Sequence, residues 1–467
     1  MTRTSRTASR LPAALAAGAV VLLHVPVRAA AQQTATAEPV PITLEAAVST
    51  ALEANPSHRI AGARTAIARA EARAGTSPLL PAVDVGAGYA RSADPVFAFG
   101  TKLRQERFGQ ADFAVDALNR PDPINDWTMD VGVRWNLLDP TAWAGRSAAG
   151  SRAEAAGWEE AWSRDRTTFA TRALYFAAVG ADAALEVAEA EEAAARATRD
   201  LFRRRREAGL LTDADVLSAE AELRSAEARR LGARRDRDRA REDLALQLGW
   251  DVDRVPVPVD TLGAPPPSAG APAALPAGSS VAPRADLRAL AAASDAAGAD
   301  ATRAGVSFLP RVEGFAGWQS HADRAFGVDG SDWTVGVALR WTVFSGLGRF
   351  AARRRAVEAR EIARIRQADA LRTARAEVVQ ARRDVSASWS GLEATRAAAS
   401  AADEARQLMT RRFEEGLATP ADLLQAEARA AEARGREVQA LVTYNVALAR
   451  LDLVAPEGAD PVSEEMP

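Results

Sequence analysis

Residues 204–223 read RRREAGLLTDADVLSAEAEL, and residues 411–430 read RRFEEGLATPADLLQAEARA. In each stretch a run of helix formers stops at a glycine, Gly209 or Gly416, and a second run starts after a threonine, Thr212 or Thr419. Glycine suits the left-handed position that closes a helix, and threonine suits the N-cap that opens one. Pro420 then falls at the first helical position. Asp215 and Asp422 fall at the third, where an acid supports both the cap and the helix dipole. Each stretch predicts a tight turn between two helices, and the turn occurs twice, 207 residues apart.

The duplication extends well beyond the turns. Residues 126–140 read DWTMDVGVRWNLLDP and residues 332–346 read DWTVGVALRWTVFSG, 206 apart. Residues 79–90 read LLPAVDVGAGYA and residues 308–319 read FLPRVEGFAGWQ, 229 apart. The copies run in the same order, and internal repetition outranks most local signals when a fold is inferred. Each copy reads helix, strand, strand, long helix, turn, helix. Proline-free, helix-forming sequence predicts long helices over 141–208 and 350–415, each ~100 Å at ~1.5 Å per residue. Shorter returning helices are expected over 213–248 and 420–453, and helices preceding the strand pairs over 43–75 and 284–306. The returning helices carry a 3-4 seam: Val216, Ala219, Leu223, Ala226, Arg230, Ala233, Arg237, Ala240, Leu244, and in the second copy Leu423, Ala426, Ala430, Ala433, Glu437, Ala440, Tyr444, Ala447, Leu451. That spacing is a coiled-coil seam. Its many alanines bury little area, so such helices need neighbours on both sides, which a closed array of helices supplies.

Strands are expected at about 81–91, 127–137, 310–319 and 333–344. In the second, Trp127, Met129, Val131, Val133, Trp135 and Leu137 alternate with Thr128, Asp130, Gly132, Arg134 and Asn136. In the fourth, Trp333, Val335, Val337, Leu339, Trp341 and Val343 alternate with Thr334, Gly336, Ala338, Arg340 and Thr342. Strict period-2 alternation gives each strand one apolar and one polar face. A soluble sheet over a core alternates in the same way. Here, however, the apolar faces carry aromatics near their ends, Tyr89, Trp127, Trp135, Trp318, Trp333 and Trp341, as the girdles of a lipid-facing barrel do. The polar faces carry Asp84, Asp130, Arg134, Glu313 and Arg340, as the wall of a wet lumen would. The strand at 310–319 is weaker, with Gly314 and Ala316 on its apolar side. Four strands cannot close a barrel, and an open edge cannot sit in lipid, so several chains must pool their strands; three would give twelve. The segment 92–126, with Phe97, Phe99, Phe108 and Phe113, far exceeds its counterpart at 320–332. A plain surface loop is expected there, with plugging or receptor binding as the alternative.

Composition narrows the function. The 467 residues carry a net charge of −3, too small for a nucleic-acid footprint. There is no cysteine, which removes disulfides, thiolate metal sites, cysteine nucleophiles and a lipidated N-terminal cysteine. His24, His58 and His321 lie far apart in sequence, so no histidine metal site, and no cofactor, is expected. No nucleophile–base pair or phosphate loop is visible, so no catalytic residue is assigned. Residues 1–31 read as a secretory signal: Arg3, Arg6 and Arg10, then the apolar Leu11 to Val27, then Ala29-Ala30-Ala31. Its removal would take four arginines and bring the net charge to −7. No later stretch offers ~18 consecutive apolar residues. The C-terminal EEMP is no barrel strand and fits a helical, periplasmic end.

From about 42 to 453 the chain resembles the TolC-like outer-membrane efflux family. The resemblance rests on the opening ITLEAAVSTALEANP, the LLP before the first strand, both DW segments and both G-L-x-T-x-x-D-x-L turns. It implies a mixed, mainly α membrane protein: a homotrimer with a twelve-stranded barrel in outer-membrane lipid of a Gram-negative bacterium, above a long coiled-coil tube crossing the periplasm. It also implies a periplasmic adaptor and an inner-membrane RND, ABC or MFS transporter as partners; opening is then expected to loosen the salt bridges and hydrogen bonds at the tips. In that family the acid six residues after the tip glycine lines the constriction, which places Asp215 and Asp422 there. An aromatic three residues before the glycine stands near the gate; Phe413 matches, whereas Arg206 in the first copy departs from the pattern. Gly209, Leu210, Thr212, Gly416, Leu417 and Thr419 match the exposed tip that meets the adaptor.

The expected organisation is a signal peptide (1–31), a first repeat (32–250, tip about 206–215), a Pro/Gly/Ala-rich linker (251–283) placed to wrap the tube's waist, a second repeat (284–454, tip about 413–422) and a tail (455–467). The expected function is a passive exit duct for small toxic molecules, ions or proteins. The competing reading is a periplasmic coiled-coil adaptor or tethering protein, which would need an all-β domain between its hairpin halves.

Overall fold

The computed structural model describes residues 38–251, 253–264 and 284–455. The expected signal peptide, most of the linker and nearly all of the tail lie outside the described residues.

In chain order the elements are β1 (Glu38–Ile42), α1 (Leu44–Ala54), α2 (Pro56–Ala74), β2 (Ala82–Ser92), α3 (Pro95–Arg104), α4 (Val115–Asn119), β3 (Ile124–Leu138), α5 (Pro140–Glu207), α6 (Asp213–Gln247), β4 (Arg254–Pro258), α7 (Ala285–Val306), β5 (Arg311–Ala322), β6 (Gly330–Arg340), α8 (Gly348–Glu414) and α9 (Pro420–Val454). The two long helices have 68 and 67 residues, so each spans ~100 Å. Each is followed by a returning helix of 35 residues. Every residue of the two expected seams is buried or half-buried.

The helix expected over 43–75 is two helices. Pro56 cannot donate to the preceding turn, and Asn55 recaps the chain there: its Oδ1 accepts from Ser57 N at 2.9 Å and His58 N at 3.4 Å. Its Nδ2 donates to Gln247 O at 2.9 Å, tying the break to the end of α6.

A two-stranded parallel sheet of β1 and β4 escaped the sequence reading. Both strands are proline-rich, EPVPI and RVPVP, which argues against a sheet interior. The register resolves the conflict. Pro39 and Pro41 alternate with Val40, and Pro256 and Pro258 with Val257. Glu38 N donates to Asp253 O at 2.8 Å and Val259 N to Ile42 O at 3.1 Å. The prolines thus occupy positions whose amides would point away from the partner strand. Halfway along α5, the buried Tyr175 hydroxyl lies 2.7 Å from Asp260 Oδ2 and 2.9 Å from Ile42 O. Burial, first, and the Asp260 carboxylate push its pKa up to about 12. Ile42, Ala47, Ala51, Tyr175, Ala178, Leu244 and Leu248 form the core at this level. The described end of the linker then reaches the second copy, where Asn445 Nδ2 donates to Gly263 O at 3.0 Å.

The copies interlock. Helix α5 packs on α7 and α9 as well as on α6. At Gly180 the approach to α9 is so close that a β-carbon would overlap Val442 Cγ2. In the sheet the order is β2-β3-β5-β6, all antiparallel, so the strand pairs of the two copies join at β3 and β5. Strand β3 is longer than expected at its N-terminal end, where it begins at Ile124. Strand β6 stops at Arg340 rather than 344, because its partner β5 begins at Arg311 opposite Arg340 and offers no further ladder.

Candidate functional site at the hairpin tips and the sheet

Both tips close as their sequences require. Gly209 and Gly416 have φ of +75° and +78°, the left-handed region open to glycine. Leu210 N donates to Arg205 O at 2.8 Å and Gly209 N to Arg206 O at 2.9 Å; Leu417 N donates to Arg412 O at 2.7 Å and Gly416 N to Phe413 O at 3.0 Å. These are paired Schellman bonds that satisfy the last helical carbonyls. On the other side, Asp215 N donates to Thr212 Oγ1 at 3.3 Å while Thr212 N donates to Asp215 Oδ2 at 2.9 Å. Thr419 and Asp422 repeat this at 3.2 and 3.0 Å. Both threonine hydroxyls also donate to the aspartate, at 2.7 and 2.6 Å. That side-chain bond, then the backbone bond, holds each carboxyl below the usual carboxylate range. Leu210 and Leu417, which touch no core, are 70% and 65% exposed.

Phe413 is placed differently from the other gate candidates. It is 2% exposed, buried inside the chain, and packs on Phe202 at 5.2 Å between ring centroids. Ala219 and Leu423 complete that cluster, so Phe413 joins the two hairpins rather than facing solvent. Arg205 completes the joint: its Nη1 donates to Phe413 O and its Nη2 to Glu414 O, both at 2.7 Å, and its guanidinium lies 4.6 Å from the Phe413 ring centroid. A cation on the last carbonyls of a helix also complements its dipole. Arg206, which departs from the family pattern, forms an ion pair with Asp213 at 2.7 Å across its own turn. Sequence reasoning missed Phe202 and Arg205. The second copy has Met409 where the first has Phe202, so the repeat gave no signal for it, and nothing in the run Arg203 to Arg206 singles out the one that reaches across.

Higher up, Thr198 Oγ1 donates to Glu427 Oε1 at 2.6 Å between α5 and α9. Burial raises the Glu427 pKa, and the Thr198 bond and Arg406 oppose that rise.

The sheet gathers the apolar residues of all four strands on one face. Tyr89 is in register with Trp127, Val131 with Trp318, and Trp318 with Trp333. The Tyr89 and Trp127 rings lie 4.6 Å apart. At the opposite end, Trp135 Nε1 donates to Leu79 O and Trp341 Nε1 to Phe308 O, both at 3.0 Å, the same bond in each copy. Val83, Val85, Trp333, Val335, Val337 and Leu339 on this face are exposed, Trp333 by 74%. The reverse face is polar: Arg134 pairs with Asp84 at 2.7 Å, and Glu313 with Arg311 at 2.7 Å and Arg340 at 3.3 Å. Phe315 on this face lies against Gly336, where a β-carbon would come within 2.5 Å of its ring. Strands β2 and β6 end the sheet with no further partner strand among the described residues. No described helix is long and apolar enough to cross a membrane, and no described group of three or more His, Asp or Glu is arranged to hold a metal.

A family model described as outer membrane efflux protein matches residues 47–250 and 278–455. Solved structures of similar fold include the CmeC outer membrane channel of Campylobacter jejuni, 15% identical, covering 88% of this chain and 85% of that one, with a TM-score of 0.75. The outer membrane protein VceC of Vibrio cholerae is 21% identical, with coverage of 88% and 95% and a TM-score of 0.73. The open state of the MtrE outer membrane channel of Neisseria gonorrhoeae is 21% identical, with coverage of 88% and 88% and a TM-score of 0.70. At these identities the likeness establishes the fold. No curated protein matches the chain in sequence.

Proposed function

Because the chain belongs to the outer membrane efflux protein family, we propose that it is the passive exit duct of a tripartite efflux or type I secretion system. Three copies pool their strands into a twelve-stranded barrel in the outer membrane, and their helices form a tube across the periplasm. The observation that carries this reading is the sheet itself. It has one exposed apolar face, one charged face and open edges at β2 and β6. Apolar patches of this size on a monomer mark an interface or a membrane, and open strand edges are tolerated in lipid only when a barrel closes. Trp127 and Trp135 lie eight residues apart on β3, ~26 Å along the strand at ~3.3 Å per residue. A strand tilt of about 40° reduces this to roughly 20 Å of height, which sets the two tryptophans near opposite borders of an apolar band ~25 Å tall.

At the other end, Asp215 and Asp422 of three copies place six carboxylates around the narrow end, an arrangement that attracts cations. Leu210 and Leu417 are the surface that meets a periplasmic adaptor, which links the duct to an inner-membrane RND, ABC or MFS transporter supplying the energy. The cargo is small toxic molecules, ions or proteins. An adaptor reading would require a β domain within the hairpins, whereas each hairpin turns in five residues, 208–212 and 415–419. The test is deletion of the gene followed by challenge with a panel of toxic compounds. Sensitivity to at least one class should rise and be restored by the intact chain, with the protein recovered in outer membranes. A chain recovered only in the soluble periplasm, with no change in sensitivity, contradicts the proposal.

A further inference from the structure

The long segment between β2 and β3 is not a plain surface loop. Asp94 caps α3 by accepting from Phe97 N at 2.8 Å. The buried residues of α3 and its C-cap, Ala98, Thr101 and Gln105, lie three and four apart and form one stripe. Of the buried strand residues at the same end, Ser320 and Ala322 of β5 lie on the apolar row, where the turn at Gly327 comes close to Ala322, whereas Ile124 and Asp126 of β3 and His321 of β5 lie on the other row. By strand alternation these continue the rows of Thr128, Asp130 and Arg134 and of Glu313 and Gln319, which is the polar face. Gln105 meets this row at Asp126 and the Arg104 carbonyl meets it at Gly330, opposite His321, so the helix folds over the charged side of the sheet.

A buried polar network holds it there. Gln105 Nε2 donates to Asn125 O at 2.8 Å and reaches Asp126 Oδ1 at 3.4 Å. His321 Nδ1 lies 3.0 Å from the same Asp126 carboxylate. Just beyond, Arg107 pairs with Asp323 at 2.7 Å. Gly330, at the start of β6, gives the segment passage, since a β-carbon there would overlap the Arg104 carbonyl oxygen. The segment is also braced internally: Lys102 pairs with Asp112 at 2.7 Å, and Phe99, Phe108 and Phe113 pack edge to face. The side of α3 turned away from the sheet carries Val96 and Leu103, seven residues apart, 81% and 49% exposed.

We propose that residues 94–119 form a lid folded inward over the outer end of the lumen, narrowing the exit with the apolar side chains of Val96 and Leu103. The proposal rests on the duct reading, because only a barrel makes the polar face a lumen. In that setting each chain contributes one lid at the aromatic level marked by Tyr89 and Trp127. The exit is then an apolar constriction, in series with the acidic one at the tips, and it passes weakly hydrated cargo more readily than large or charged cargo.

The chain has no cysteine, so a single engineered thiol reports access without background. Thr334 lies on the polar side of β6 opposite Gly317, four residues inward from His321, ~13 Å below the lid. Thr334→Cys would be labelled on whole cells with a small uncharged methanethiosulfonate and with a bulky polyethylene-glycol maleimide. It would be tested in the otherwise intact chain, in a chain whose residues 95–119 are replaced by a short Gly-Ser link, and in the full-length Gln105→Ala, His321→Ala chain. The small reagent should react alike in all three. The bulky reagent should react at least about tenfold faster in both lid variants than in the intact chain, as expected when a locally held segment is released. Equal rates with the bulky reagent would overturn the lid while leaving the duct standing. Failure of the small reagent to reach Thr334→Cys in the intact chain would overturn the duct reading and the lid with it.

Discussion

Replacing Asp215 and Asp422 together by alanine should raise single-channel conductance in planar bilayers severalfold and abolish most of the cation preference. Two effects combine, one on selectivity and one on the width of the constriction. The proposed ring loses its six carboxylates, so the field that favours cations and excludes anions at the narrow end collapses. Each cap also loses the acceptor for its threonine amide and hydroxyl, a pair of bonds at 2.9 and 2.7 Å in the first tip and 3.0 and 2.6 Å in the second. The first turns of α6 and α9 then fray more readily. The pH dependence has a defined sign. Both carboxyls are held below the ordinary range by their threonines, so they stay ionised as pH falls to about 4, the ordinary aspartate value. Wild-type cation preference should persist through that point and be lost only as pH falls through the depressed values. The caps' contribution to stability follows the same course. It is present above the unfolded-state pKa and lost as pH falls through the depressed folded value. Conductance and selectivity unchanged in the double variant would remove these two residues from the constriction.

Phe413→Ala should uncouple the two hairpins at their tips. A fully buried phenylalanine truncated to alanine costs about 3–5 kcal/mol, part of it the cavity left behind. Here the cavity opens between Phe202, Ala219 and Leu423, and the cation–π contact of Arg205 disappears with the ring. Arg205 retains its two bonds to the Phe413 and Glu414 carbonyls, so the tips should loosen without separating completely. The run Arg203 to Arg206 offers a direct readout, since trypsin cleaves after arginine once a helix end opens. Cleavage there should accelerate by two orders of magnitude or more, on the scale of about tenfold per 1.4 kcal/mol of lost local stability. Arg205→Ala should accelerate it less, because it removes polar links at a partly exposed site and leaves the aromatic core intact. Equal protection of wild type and Phe413→Ala would show that another contact holds the tips.

The parts of this molecule legible in its sequence are those that depend on short-range pattern. The tips are legible as caps, because glycine, threonine, proline and aspartate each answer a local backbone requirement. The long helices followed from composition, and the strand faces from alternation. What escaped depends on distant partners. Strands β1 and β4 are over two hundred residues apart, and their prolines argue against a sheet until the register shows that the missing amides point outward. The burial of Phe413 depends on Phe202, which has no counterpart in the second copy. The folding of α3 onto the polar face depends on Gln105 meeting Asp126 and His321, and nothing near Gln105 in the chain signals that meeting. At the sheet, the aromatic residues are legible but not the matching bonds of Trp135 to Leu79 and Trp341 to Phe308, in the links that lead into β2 and β5.

The most direct test of the account is electron microscopy of the protein extracted from outer membranes in detergent. The account predicts a threefold particle well over ~100 Å long, as the helix lengths require. It should have a short, wide barrel at one end and a tapering tube at the other. A compact particle, or an elongated one without threefold symmetry, would contradict it, because the apolar face of the sheet would then be covered by something other than lipid and sister strands.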